Sequence, residues 1–202
     1  RGALMHAISG IDIALWDILG QVAGLPVHRL VGGARRALVK AYASDLSQDS
    51  LDAALAQARR NRDSGYRAMK FGWGALGSNP RADARAAAAI RAAVGDDIDI
   101  MFDIGVPLPF NDAIYLGRAF AESGVAFLEE PLAPDDLRGF AALVAASPTP
   151  IATGEKETTQ HPYLDLMERG GLRIIQPDVA RVGGISEMLR IVAHAEARGV
   201  QV

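Results

Sequence analysis

The chain has 202 residues, half of them hydrophobic and 22% charged, with a net charge of −3. That length is enough for one sizeable core and part of a second domain. Mixed charge without a basic patch speaks against a nucleic-acid partner, and the absence of cysteine excludes disulfides and thiolate metal sites. No signal peptide is recognisable and no apolar run approaches the roughly 18 residues of a membrane span, so the expectation is no membrane partner and a cytoplasmic location.

Residues 5–23 read as a helix, because Ile8, Ile11, Leu15, Ile18, Leu19 and Val22 recur at helical spacing. Gly24 and Pro26 stop it, and the 30–33 stretch "LVGG" is a turn signal. Asp12 and Asp17 within the helix read as polar positions or caps. From Leu38 the pattern becomes regular. Strands are expected at 38–44, 68–73, 98–103, 126–130, 150–154 and 173–178, each followed by a helix, at 49–64, 80–94, 111–123, 135–146, 159–169 and 184–197. Asn79 is placed to cap the second of these helices and Pro80 to take its first position. Residues 200–202 begin a seventh strand.

Strict alternation of strand and helix implies right-handed crossovers and a parallel sheet. The strands are continuous apolar runs, as a sheet covered on both faces requires. The units are about 27 residues long, close to those of a (β/α)₈ barrel. The fold expected is α/β, an incomplete barrel of the TIM type with about six βα units and the start of a seventh strand. The chain reads as part of a longer protein.

In such barrels the active site lies at the C-terminal ends of the strands. The strand ends here are polar: Ser44 and Asp45, Lys70, Asp103, Glu129 with Glu130, Glu155 with Lys156, and Asp178. Three of the acids, Asp103, Glu129 and Glu155, are spaced 26 residues apart. A lone strand-end acid is ordinarily a helix cap or a rim ion pair. Three at equal intervals, one per unit, would converge at one mouth, where their repulsion is costly unless a hard cation sits among them. This pattern points to a Mg²⁺ site. Glu130, adjacent to Glu129, diverges from it and is the weaker ligand candidate.

The segments "GIDIALWDILGQVAGLPVHRLVGG", "YAS", "MKFGWG", "MFDIG", "FLEEP", "PIATGE" and "IIQPDVARVGGISE" together resemble the enolase superfamily, and within it the mandelate racemase / muconate lactonizing enzyme family. The resemblance implies that residues 1–36 are the end of an N-terminal capping domain with its linking helix, and that 37–202 are a partial barrel domain. It implies Mg²⁺ held by Asp103, Glu129 and Glu155, and abstraction of a proton next to a carboxylate through an enediolate. The cation stabilises the charge where it develops while a positioned base takes the proton. The partner implied is a small-molecule carboxylate resembling a sugar acid, and members are often homo-oligomers.

The family often carries Lys-x-Lys at the end of strand two. Here the pair is Lys70 and Gly72, so the second lysine, usually the base, is missing. Lys70 remains as a catalytic candidate that would tune a metal ligand or touch the substrate; a salt bridge to one of the acids is the plainer reading. Asp178 matches the aspartate that orients a histidine on strand seven, a histidine that would lie beyond Val202. None of His6, His28, His161 or His194 falls at a strand end. Gly105 stands where the family commonly has Asn, and Lys156 would reach substrate or face solvent. One base short on one side suits dehydration of a sugar acid, a lyase reaction, better than two-base racemisation. Racemase, epimerase or cycloisomerase chemistry and a non-catalytic family member are the alternatives. Gly72–Gly77 also matches G-x-G-x-x-G after a strand, but "SNP" separates the last glycine from the helix, against a dinucleotide site.

Overall fold

The computed structural model describes residues 2–34 and 36–202. Among the described residues six parallel strands lie side by side in chain order: β1 (Ala43–Leu46), β2 (Ala68–Gly72), β3 (Asp99–Asp103), β4 (Val125–Glu129), β5 (Ile151–Thr153) and β6 (Ile174–Ile175). Gln201 continues the series with a parallel bridge to Ile174, where the seventh strand is expected. Between the strands run α3 (Leu51–Asp63), α4 (Pro80–Val94), α5 (Phe110–Glu122), α6 (Leu137–Ala146) and α7 (Gln160–Glu168), with α8 (Val179–Val182) and α9 (Ile185–Glu196) after β6. Helices α1 (Ala3–Ala23) and α2 (Val27–Leu30) precede the sheet.

Two strand boundaries differ from the sequence pattern. The apolar run at 38–42 is not strand: Leu38 and Val39 are 88% and 82% exposed. The ladder starts at Ala43 opposite Met69, and β2 itself begins at Ala68, so residues before Tyr42 have no strand partner, although the Lys40 side chain pairs with Asp99. β6 stops at Ile175 rather than reaching 178, because Pro177 has no N–H to give a ladder and Asp178 already caps α8. The short α8 is not signalled by periodicity; four residues carry too little of it.

Alternation along the strands separates two faces. Met69 and Phe71 on β2, Ile100 and Phe102 on β3 and Leu128 on β4 are buried against the helices in a core that includes Ile90, Leu116, Phe120, Phe140 and Leu143. Phe102 stacks on Phe120 of α5 at 4.7 Å and lies 6.0 Å from Phe71. Each such side chain contributes about 1.5–3 kcal/mol by leaving water. The opposite face carries Lys70, Gly72, Met101, Asp103 and Glu129. The register puts Gly72, Asp103 and Glu129 on one level and Lys70 two residues below, opposite Met101.

Helix starts follow local chemistry. Ser50, Asn79 and Asp136 accept from the third backbone N–H beyond them, at Ala53, Ala82 and Gly139, and Pro80 occupies the first position of α4. At α7 and α9, whose preceding residues give no side-chain cap, another element supplies it. Asp12 of α1 accepts from Ser186 N at the start of α9, and Glu187 of α9 accepts from Gln160 N at the start of α7. Ser9 Oγ accepts from Gly183 N, and Trp16 Nε1 donates to Ser186 Oγ at 2.9 Å, so α1 is docked on α8 and α9 through polar contacts. Contrary to the sequence expectation, α1 is long and apolar enough, by length and composition alone, to cross a membrane. Its middle nevertheless carries Asp12 and Asp17, each costing about 2.5–3.5 kcal/mol at a bilayer centre.

Candidate active site

Three adjacent strands bring Lys70, Asp103 and Glu129 together. The Lys70 ammonium donates to Glu129 Oε2 at 2.7 Å and stands 3.7 Å from Asp103 Oδ2. Asp103 is 4% exposed and Glu129 1%. Asp103 Oδ2 also accepts from the indole Nε1 of Trp73 at 3.1 Å, and Glu129 takes a hydrogen bond from the Gln176 side chain. Among the described residues no group donates to the buried Asp103 Oδ1, to Glu130 Oε1 or to Gln176 Oε1. The Tyr42 ring lies 5.8 Å from the Lys70 ammonium, within cation–π reach.

Burial pushes the Glu129 carboxyl above its ordinary range; the Lys70 and Gln176 hydrogen bonds oppose the rise and the Asp103 charge adds to it. Burial pulls Lys70 the other way, but the Glu129 hydrogen bond and charge, with Tyr42 and Asp103, outweigh it and hold the ammonium above its ordinary pKa. Both partners therefore keep a proton more tightly than in water. For Glu129 the main cause is burial, with the Asp103 charge a smaller addition; for Lys70 it is the carboxylate of Glu129, helped by Tyr42 and Asp103. Lys70 is thus held as an ammonium against the two carboxylates.

The rim repeats the pattern. Glu130 adopts φ +47, is buried, and pairs with Lys156. Burial raises its pKa, Lys156 opposes the rise, and the charges of Glu155 and Asp103 add to it. Lys156 thus faces a carboxylate rather than open solvent. Glu155 sits in the turn after β5, half-buried, near enough to Glu130 to perturb it. Asp178 caps α8 through Ala180 N at 2.8 Å and lies 3.3 Å from Arg181 in an exposed pair. The structure thus joins Lys70, Asp103 and Glu129 directly, places Glu155 beside Glu130, and gives Asp178 a capping contact of its own.

Gly72 occupies the place of the family's second lysine. A Cβ there would come within 3.1 Å of Asp103 Cβ, closer than neighbouring carbons normally lie. The glycines of the G-x-G-x-x-G match end β2 and shape the following loop; α4 begins only after Asn79. Sequence reasoning did not single out Trp73 or Gln176 as site residues. Both lie one or two residues past a strand, which was the available signal.

The oxygen-only donor set suits a hard cation. The buried, undonated Asp103 Oδ1 beside Glu129 fits such an ion, since a buried carboxylate oxygen without a donor is costly. Among the described residues no three acidic or histidine side chains are gathered closely enough to enclose a metal. Asp103 and Glu129 are the pair in place, with Glu155 on the adjoining turn.

A parallel βα series with acids at its strand ends is the arrangement of a (β/α)-barrel domain of the enolase type. Residues 53–202 match the family described as Enolase C-terminal domain-like, and residues 2–32 match Mandelate racemase / muconate lactonizing enzyme, N-terminal domain. The chain belongs to the mandelate racemase / muconate lactonizing enzyme family of the enolase superfamily. It is 34% identical over its whole length to a D-galactarolactone cycloisomerase of Agrobacterium fabrum, covering 54% of that protein. It is 37% identical over 98% of its length to the L-talarate/galactarate dehydratase of Salmonella typhimurium, covering 50% of it. A mandelate racemase/muconate lactonizing protein from Paracoccus denitrificans PD1222, solved in complex with magnesium, superposes with a TM-score of 0.90 at 30% identity, over 98% of this chain and 54% of the other. The chain spans about half the length of the curated relatives it matches.

Proposed function

We propose that this chain carries the metal-binding half of an active site that removes the proton α to a carboxylate in a sugar acid, with loss of water as the outcome. The observation that carries the reading is the excess of negative charge around Lys70. Asp103 and Glu129 are buried and share a single ammonium, and one Asp103 oxygen is left without a donor. Asp103, Glu129 and Glu155 would hold Mg²⁺, which when bound acts as a Lewis acid on the substrate carboxylate and stabilises the charge that develops there.

The chain's own residues do the rest of what this half-site can do. Lys70 stays protonated, fixes the Glu129 carboxylate and offers positive charge at the floor of the mouth. Gln176, just past β6, orients Glu129, and the Glu130–Lys156 pair holds the rim beside Glu155. The base is not among Lys70, Glu129 or Asp103, which are engaged with one another. Asp178 lies just past β6, where it would orient a histidine on the next strand. A cycloisomerase reading is the second one, supported by the match to the galactarolactone cycloisomerase. It differs only in the fate of the same carbanion-like state.

The test is to incubate the full-length protein with Mg²⁺ and a panel of hexarates, hexonates and their lactones in deuterated water. Formation of a 2-keto acid supports dehydration. Lactone rearrangement without a keto product favours the cycloisomerase. α-Deuterium exchange with recovery of substrate or its epimer overturns both in favour of epimerisation. No turnover and no exchange on any substrate, with cation binding intact, favours the non-catalytic family member.

A further inference from the structure

We propose that Trp73 is a positioning residue for Asp103: its indole takes Oδ2 and so leaves Oδ1 as the oxygen presented to a divalent cation. The inference rests on the reading of Asp103 as a ligand, and its test separates the two. Trp73 grips Asp103 at two points. Its backbone N–H donates to the Asp103 carbonyl at 3.1 Å and its indole N–H to Oδ2, also at 3.1 Å. Lys70 stands 3.7 Å from the same Oδ2, while nothing among the described residues donates to Oδ1. The two oxygens of one carboxylate therefore have different tasks, and a donor on one of them sets the rotation of the other.

The surroundings are arranged to permit this grip. Trp73 adopts φ +64, a backbone conformation that side-chain-bearing residues rarely take. Strain of that kind persists where the surroundings over-determine it. The indole lies on Gly105, two residues beyond Asp103; a Cβ at that glycine would meet the ring at 3.3–3.5 Å. Gly105 thus clears the space the ring fills. On the far side of the loop, Asp83 Oδ2 accepts from Gly77 N at 3.0 Å and holds the segment that carries Trp73. The ring is still half open to the mouth, 52% exposed, which a side chain serving only to fill the core would not be.

The experiment compares the full-length protein with its Trp73→Phe variant, which keeps an aromatic ring over Gly105 but loses the N–H. Tb³⁺ is the probe, read by emission sensitised through nearby indole, with Mg²⁺ affinity obtained by competition. Thermal unfolding without cation reports the structural effect. The expected result is a loss of about 10-fold in Mg²⁺ affinity and a fall in sensitised emission per bound Tb³⁺, at an unchanged unfolding midpoint. Unchanged Mg²⁺ affinity in the variant, with binding intact in the parent, overturns the role of Trp73 and leaves the proposed function standing. Failure of the parent protein to bind either ion overturns both. Should Trp73→Phe not fold, Trp73→Leu is the second variant. It keeps apolar bulk beside Gly105 and has no N–H, so the same weakening is expected, and wild-type affinity there overturns the proposal.

Discussion

Lys70 and Glu129 form an ion pair at 2.7 Å although their strands, β2 and β4, are separated by β3. The register explains the reach. Lys70 is level with Met101, two residues below the Asp103–Glu129 level, and its four-carbon stem lifts the ammonium to the carboxylates. A cation fixed there from below leaves the upper side of the same acids open at the mouth.

Replacing Lys70 by Met keeps the stem's apolar bulk and removes the charge. Glu129 is then buried beside Asp103 with no countercharge. Breaking a buried pair in this way costs about 3 kcal/mol at neutral pH, read as a lower urea midpoint of the cation-free protein. Because a divalent ion would supply the missing charge, Mg²⁺ should raise the unfolding temperature more in Lys70→Met than in the parent. An equal or smaller Mg²⁺ shift in the variant would show that Lys70 and the cation do not answer to the same carboxylates.

The raised pKa of Glu129 fixes the sign of a pH dependence. The ordinary value is 4.5 and the folded value lies above it, mainly through burial. Below 4.5 both states hold the proton. Above it the unfolded chain releases first, so the folded state binds more protons and the Glu129 contribution to stability falls as pH rises through the folded pKa. Cation binding needs the carboxylate, so affinity should climb over that window and level off above it. In Glu129→Gln both trends should flatten, measured by denaturant unfolding and cation titration from pH 4.5 upward. A Gln variant with the parent's pH profile would assign the titration to another group, Glu130 being the first candidate because burial raises it too.

Asp83 gives a prediction about the loop. Its carboxylate is buried in the first turns of α4 and accepts from Gly77 N; burial raises its pKa and the Gly77 bond opposes the rise. Asp83→Asn keeps an acceptor and removes a buried charge, so stability should change by less than about 0.5 kcal/mol. Asp83→Ala leaves Gly77 N without its partner and should cost about 1–2 kcal/mol, with faster hydrogen exchange confined to residues 73–79. Exchange that rises evenly over the whole chain would mean that Asp83 supports the core and not the loop.

The βα alternation was legible because each strand is a short apolar run and each helix an amphipathic one, so the element order and sheet direction follow from periodicity alone. Asn79 and Pro80 marked the start of α4 to the residue. Leu38 and Val39 misled because hydrophobicity records what a residue prefers, not whether a neighbouring strand extends far enough to pair with it. That Asp103 and Glu129 end adjacent strands on one level was legible from equal spacing, since one unit of repeat separates one strand end from the next. The salt bridge that a strand-end lysine among acids suggests is present between Lys70 and Glu129. Trp73 was not legible as a partner of Asp103. Its orientation depends on a left-handed φ and on the room left by Gly105, neither of which composition or periodicity encodes. Asp12 capping α9 from 174 residues away is a contact of the same non-local kind.

Equal spacing names Glu155 as the third ligand, whereas Glu130 is the more buried acid and carries the undonated oxygen. Glu130 shares that lack of a donor with Asp103, and the two candidates for third ligand differ in what their removal should do. Glu130 is already neutralised by Lys156 and fixed in a strained backbone conformation, so its role on this reading is to hold the rim. Glu155 is half-buried, near enough to Glu130 to perturb it, and is the acid to which the equal spacing points. Glu155→Gln should therefore weaken Mg²⁺ binding at least 10-fold while leaving the cation-free unfolding midpoint in place. Glu130→Gln removes the charge facing the partly exposed Lys156 but keeps an acceptor; it should lower stability by no more than about 1 kcal/mol and change Mg²⁺ affinity by less than about threefold, since a neighbour of a ligand set acts only through orientation. Calorimetric titration of the two variants of the full-length protein decides the matter. The reverse pattern, with affinity lost in Glu130→Gln and kept in Glu155→Gln, would move the third ligand to β4 and make the 26-residue interval a property of the fold rather than of the metal site.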